Sequence, residues 1–300
     1  MTTVPAAGEH PAPPEHPERP LAAPGRDLIP PWPGWTAPAA LFAGFAAALI
    51  AGLMIGIVAA IFGASLSDPP AAVSIISVIA QDACLIGAAL LFARMTAPPR
   101  PELFGLRPAP LRRSVAYVVG GYLVFILASF AWLAIIGQPD AKDTITEDLG
   151  AKDSTVALIA VTFVVCVCAP LAEEFFFRGY FFGALRSNGF WPAAVLTGLA
   201  FGLVHVFGSP IAFIVPLALL GIALCFIREK TGSLYPGIAL HCLNNSVAMA
   251  SSEHWSWQVP VVLVLAPTCI ALFIWLGLRF WPSAWTAGPA TAATAVAPTR

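Results

Sequence analysis

The sequence predicts an all-α polytopic membrane bundle of about eight transmembrane helices. Composition is the first reason: of 300 residues 58% are hydrophobic, only 10% are charged, and mean hydropathy is +0.82. Soluble globular chains average about 45–50% apolar and about 25% charged residues. The second reason is length, because the apolar residues fall in runs able to cross roughly 30 Å of hydrocarbon. The third is the uneven distribution of loop charge. A net charge of −1 with a pI near 6.5 leaves no basic footprint for nucleic acid, so that partner class is excluded.

Residues 1–36 hold 10 of the 29 prolines, among Glu, His and Ala, and cannot bury a core. They are expected to form a disordered, polyproline-like cytoplasmic tail. No basic n-region precedes a short apolar run, so this is not a signal peptide. Residues 37–282 form the transmembrane domain and 283–300 a short second tail. Within the domain the apolar segments are approximately 38–64, 71–94, 114–137, 155–185, 190–207, 209–228, 233–250 and 259–282. The fourth is overlong for one span and carries Pro170, so it should tilt, break or run along the interface.

With eight spans, Arg94, Arg100, Arg107, Arg112, Arg113, Arg186, Arg228, Lys230 and Arg279 fall on one side. The other side keeps Lys142 and Lys152, diluted by Asp140, Asp143, Glu147, Asp148 and Asp153. The positive-inside rule then places both termini in the cytoplasm. Trp32, Trp35, Trp191, Trp255, Trp257, Trp281 and Trp285 sit at span ends, as an aromatic belt requires. All six cysteines (Cys84, Cys166, Cys168, Cys225, Cys242, Cys269) lie in apolar runs without a CxxC pair, so they are packing thiols and not disulfides. In a helix, Cys166 and Cys168 point about 200° apart and make a poor metal pair.

An ionisable group inside the bilayer costs at least about 2.5–3.5 kcal/mol and needs a partner or a function. The second span holds Gln81 and Asp82. The fourth holds Glu173, Glu174 and Arg178, the fifth ends at His205, and the seventh holds His241, Asn244 and Asn245. Glu174 and Arg178 are four apart and can pair on one helical face. Glu173 lies about 100° round the helix, outside that pair, and is the carboxylate suited to take a proton from water. Phe201 and His205 share a face, as do His241 and Asn245; the latter could aim an imidazole and an amide at one developing oxyanion. Helix-to-helix hydrogen bonding is the alternative for each of these, and it is the reading adopted for Asp82 and Asn244.

EExxxR (Glu173, Glu174, Arg178), FxxxH (Phe201, His205) and HxxxN (His241, Asn245) resemble the motifs of the CPBP intramembrane proteases, also called Abi or CAAX proteases. That family includes the Ras-converting CAAX endopeptidase. The resemblance covers roughly residues 155–250. It implies a helical membrane endopeptidase with catalytic residues on helices four, five and seven, and a cavity reached from the cytoplasm. By motif, Glu173 and His205 would activate water, His241 and Asn245 would stabilise the oxyanion, and Glu174 and Arg178 would support the site, with Phe201 beside it. No cofactor is expected. The alternative is zinc held by Glu173, His205 and His241, although no HExxH helix exists and Asn245 suits an amide donor better than a ligand. The expected partner is a membrane-embedded or membrane-associated protein or peptide, with CAAX-type processing as one substrate class. A non-catalytic immunity or scaffold protein of the same fold is the competing reading. Ala- and Pro-rich composition fits a high-GC bacterial gene and a bacterial plasma membrane. Residue counting also puts His205 at the opposite end of its span from Glu173, so convergence requires an overrunning fourth span or a fifth that begins deeper.

Overall fold

The computed structural model describes residues 29–138 and 145–252, with scattered residues between 264 and 279. Among these residues all regular structure is helical. The main helices are Thr36–Ile61 (α1), Ala71–Thr96 (α2), Leu111–Ile135 (α3), Thr155–Asn188 (α4), Phe190–Val204 (α5), Ile214–Thr231 (α6) and Tyr235–Ser252 (α7). Pro70 and Pro110 stand immediately before α2 and α3, where a missing N–H costs nothing. Ser154 opens α4 by accepting a hydrogen bond from the Ala157 N–H at 3.1 Å. α6 stops at Gly232, whose left-handed backbone closes the last turn.

Seven of the eight apolar segments are therefore helices. The eighth, 259–282, lies largely outside the described residues, as do most of the first tail, all of 283–300 and the charges Asp140, Lys142 and Asp143. The described residues bear out part of the expected count of eight spans. Five helices among the described residues are long and apolar enough to cross a membrane: α1, α2, α3, α4 and the run Ile211–Thr231 that contains α6. α5 has 15 residues, about 22 Å at 1.5 Å per residue, and falls short of the hydrocarbon thickness. α7 has 18 residues, but Pro236, His241, Asn244 and Asn245 interrupt its apolar run. The chain is an integral, multi-pass membrane protein.

α4 bears out the reading of its excess length. Its 34 residues would measure about 51 Å as a uniform α-helix. It neither breaks nor stays uniform, because two π-helical stretches, Val164–Cys168 and Glu174–Phe181, flank an ordinary turn that carries Pro170. The aromatic belt is also corrected in part. Trp35 and Trp191 are exposed, but Trp32 is buried, its ring 4.8 Å from Phe104 and 4.9 Å from Tyr180. It serves as core and not as an interfacial anchor.

Three pairings organise the bundle: α1 with α2, α3 with α6, and α5 with α6. The last is the closest. A Cβ at Gly198 of α5 would lie 2.5 Å from the Ile222 side chain and 2.7 Å from the Ala218 carbonyl; one at Gly202 would lie 2.6 Å from the Ile214 carbonyl. Gly221 of α6 returns the approach, since a Cβ there would lie 2.7 Å from the Gly198 Cα. Small residues three and four apart let two backbones touch, which is how helices adhere where lipid removes the hydrophobic drive. This contact fixes the height and rotation of α5, and so the position of His205 just beyond its end. A cavity of about 480 Å³ opens between α1 and α2, beside Gly52, Gly56 and Ser77, and no predicted site residue lines it.

Candidate active site

The site is built from the middle of α4 outward. Glu174 and Arg178 are both fully buried, and Arg178 Nη1 donates to Glu174 Oε1 at 2.8 Å. The pair predicted from i,i+4 spacing thus survives in a π-helical stretch. The Arg178 guanidinium also lies over the face of Phe201, 4.2 Å from the ring centroid, a cation–π contact in a desolvated place. Burying an ion pair is expensive, and each extra contact to the guanidinium offsets part of that cost.

α7 brings His241 against this pair. Its Nδ1 lies 3.0 Å from Glu174 Oε1, while its Nε2 lies 3.7 Å from Glu173 Oε2. A carboxylate only accepts, so Nδ1 carries the proton in that bond. The imidazole is therefore held between two consecutive glutamates of one helix: hydrogen-bonded to the first partner, and beyond hydrogen-bond length from the second. Glu173 is only partly buried, and its Oε2 has no hydrogen-bond partner. It is the free carboxylate of the cluster, as its position outside the Glu174–Arg178 pair predicted.

Phe201 joins the remaining histidine to the group. Its ring centroid is 4.9 Å from His205 and 5.6 Å from His241, so it sits between the two imidazoles. His205 Nδ1 lies 2.7 Å from the Phe201 carbonyl. A carbonyl cannot donate, so Nδ1–H does, leaving Nε2 of a neutral ring unprotonated and able to accept. No hydrogen bond or ion pair joins His205 to Glu173 among the described residues. α5 has 15 residues, so His205, just beyond its end, stands about 22 Å along the helix from its start, and Phe201 brings it beside His241.

Asn245 is placed differently from the expected oxyanion amide. Its Nδ2 donates to the Val165 carbonyl of α4 at 2.9 Å, and its Oδ1 lies 3.4 Å from Asn244 Nδ2. The cause is Pro170. In the π-helical register of Val164–Cys168, Ala169 N–H returns to the Val164 carbonyl. The next donor would come from position 170, but proline has none, so the Val165 carbonyl is orphaned. Asn245 satisfies it with one of its two amide hydrogens.

Asp82, to which the sequence assigned helix-to-helix hydrogen bonding, makes no such bond among the described residues and lies near Glu173 instead. It is 6% exposed, neither of its carboxyl oxygens has a hydrogen-bond partner, and it is within electrostatic range of Glu173 and Cys168. Its signal was present as an ionisable residue in the second span; its neighbour 91 positions later was not. Cys166 and Cys168 are free thiols, as expected. Among the described residues, no three His, Cys, Asp or Glu side chains converge tightly enough to hold a metal ion. The zinc set Glu173, His205 and His241 does not fit this arrangement.

Residues 155–247 match the family described as Rce1-like, type II CAAX prenyl endopeptidase. Over that stretch, about a third of the chain, the sequence is similar to this family. The match begins at the start of α4 and ends within α7, so it takes in Glu173, Glu174, Arg178, Phe201, His205, His241 and Asn245. It agrees with the CPBP resemblance carried by those residues. The Rce1-like segment implies a CAAX-type intramembrane protease. Comparison with curated proteins and with solved structures returns no match.

Proposed function

We propose that the chain is an intramembrane endopeptidase in which Glu173 is the general base of peptide-bond hydrolysis. The observation that carries this reading is the seating of His241. Glu174 and Arg178 anchor one ring nitrogen, and the other is left facing an unpartnered glutamate across 3.7 Å. A Glu–Arg–His knot built only for packing has no need of a second, free carboxylate at that nitrogen.

In the proposed reaction Glu173 takes a proton from water, and the hydroxide oxygen bonds to the scissile carbonyl carbon. His205 accepts through Nε2 and assists in placing that water. The negative charge moves to the carbonyl oxygen, where the His241 imidazole and the second amide hydrogen of Asn245 stabilise it. The proton held by Glu173 passes to the leaving nitrogen, and the C–N bond breaks. Glu174 and Arg178 do not touch the substrate; they fix the tilt of His241. Within this reading the substrate is a membrane-embedded or membrane-associated peptide, the CAAX type being the first to test. The Arg-rich loop and both termini face the cytoplasm of a bacterial cell.

Glu173→Gln keeps shape and removes the base. Purified Glu173→Gln should lose about 10²–10⁴-fold in turnover while reaching wild-type abundance in the membrane. Comparing membrane proteomes of cells carrying wild type and Glu173→Gln would reveal the substrate as a fragment present only with the former. Cleavage by Glu173→Gln at the wild-type rate would sink the proposed base.

A further inference from the structure

A second polar cluster lies away from the glutamates, where the helix ends gather. A cavity of about 40 Å³ is lined by Arg107, Arg178, Arg186, Arg228 and Glu229, with Pro30 on its rim. That volume holds about three water-sized atoms, so it admits the oxygens on one side of a phosphate group and leaves the rest of the group outside. Arg186 and Glu229 neutralise each other through a two-pronged contact, Nε to Oε2 at 2.9 Å and Nη2 to Oε1 at 2.5 Å. Arg178 is committed to Glu174 through Nη1, but its Nε and Nη2 are buried without a partner. Arg228 Nε is likewise buried and unpartnered.

Arg107 and Arg228 are therefore left over. Neither makes an ion pair with a carboxylate among the described residues; each lies within electrostatic range of the other, and Arg228 also of Glu229, whose carboxylate is held by Arg186. Burial pushes the Arg107 guanidinium below its ordinary range. Its Nε donates to the Gly232 carbonyl, and its fork lies 2.5 Å from where a Gly232 Cβ would be. The Arg228 guanidinium presses on Gly105 in the same way, at 2.4 Å from its virtual Cβ. Both glycines have positive φ, so no other residue is easily accommodated and the two cations are held in place. Two fixed like charges, with buried N–H groups unused around one small cavity, are costly unless an anion completes them.

We infer that this cavity binds a phosphate group, held between the guanidinium forks of Arg107 and Arg228. Arginine forks match the paired oxygens of phosphate. The depth agrees, because Arg107 precedes α3, Arg186 and Arg228 lie in the last turns of α4 and α6, and Pro30 precedes α1. Helix ends lie at the level of lipid headgroups, so the phosphate is either a lipid phosphodiester or a free one. This inference is independent of the protease reading.

The test uses the full chain in a maltoside detergent, which contains no phosphate. Thermal unfolding is followed after adding inorganic phosphate, or phosphatidylglycerol in mixed micelles, against sodium chloride at equal ionic strength. Phosphatidylglycerol should raise the midpoint by about 3 °C or more, and Arg228→Gln should abolish the rise. A rise with inorganic phosphate as well shows that the phosphate group suffices; a rise with the lipid alone assigns the site to a headgroup. Should Arg228→Gln fail to fold, Arg107→Gln carries the same expectation. No rise with either additive overturns the inference. So does an equal loss in Arg112→Gln/Arg113→Gln, which lies outside the cavity and alters only surface charge.

Discussion

α1 and α4 are equally apolar over their most hydrophobic stretches, yet 11% of that stretch is buried in α1 and 44% in α4. α3 resembles α1, at 11%, and the run containing α6 resembles α4, at 39%. In water such a difference would follow hydrophobicity. In a bilayer it cannot, because lipid tails satisfy Leu and Phe as well as a protein interior does. What draws α4 inward is what lipid cannot satisfy: Glu174, Arg178 and the carbonyl freed by Pro170. What lets α6 meet α5 is absence of side chain at Gly198, Gly202 and Gly221. Polar cost and small size, not apolarity, divide the exposed half of the molecule from the half that carries the proposed catalytic residues.

The contrast can be broken most severely at Arg178. Arg178→Leu leaves Glu174 buried beside His241 with its cation gone, and removal of one partner of a buried pair costs about 3–5 kcal/mol. Unfolding in detergent should show that loss, whereas Phe42→Ala on the exposed side of α1 should stay within about 0.5 kcal/mol. If the two variants are equally stable, buried charge is not what holds the catalytic half together.

Glycines offer a subtler pair. Gly198→Ala drives a methyl into Ile222 and the Ala218 carbonyl, and such overpacking costs about 1–3 kcal/mol. It should also shift His205 and reduce turnover, although residue 198 carries no chemistry. Gly87→Ala in α2 meets nothing within 4 Å and should leave both stability and turnover unchanged. A Gly198→Ala enzyme with native activity would show that α5 does not set the site.

The smallest effect tests the seam between the halves. Tyr180 of α4 donates to Thr36 Oγ1 of α1 at 2.8 Å, and Thr36 in turn donates to the Pro33 carbonyl. Tyr180→Phe should cost about 0.5–1.5 kcal/mol in unfolding free energy and leave turnover intact. A larger loss would mean that α1 is more tightly tied to the catalytic half than its exposure suggests.

Local rules made part of this legible in the sequence. The Glu174–Arg178 pair follows from four-residue spacing, the helical segments from apolar runs, and the freedom of Glu173 from its angle to that pair. Contacts between distant positions were not legible. His241 and Glu174 are 67 residues apart, and their motifs suggested a shared site without showing that His241 bonds to Glu174 and not to Glu173. The role of Asn245 depended on a π-helical register, which hydrophobic periodicity does not announce, and on a carbonyl missing its donor five residues along. Of the eight expected spans the described residues bear out five, because a segment of adequate apolar length can still form a shorter helix, as α5 does, and the eighth segment lies largely outside them. Burial of Trp32 was hidden for a similar reason, since a tryptophan at a helix end looks the same whether it meets lipid or Phe104.

The π-helical stretches of α4 have a genealogical consequence. A wide turn holds one more residue than the α-helical turn it replaces, so it records, in geometry, something equivalent to a single insertion. Loss of one codon between Glu174 and Phe181 would let that stretch relax to an ordinary helix and leave the faces beyond it where they are, whereas the same loss in a uniform helix would turn everything beyond it by about 100°. The widened turns of α4 are therefore where its residue number can change with least effect on the neighbours met further along, and the uniform helices α1, α2 and α3 are where it cannot.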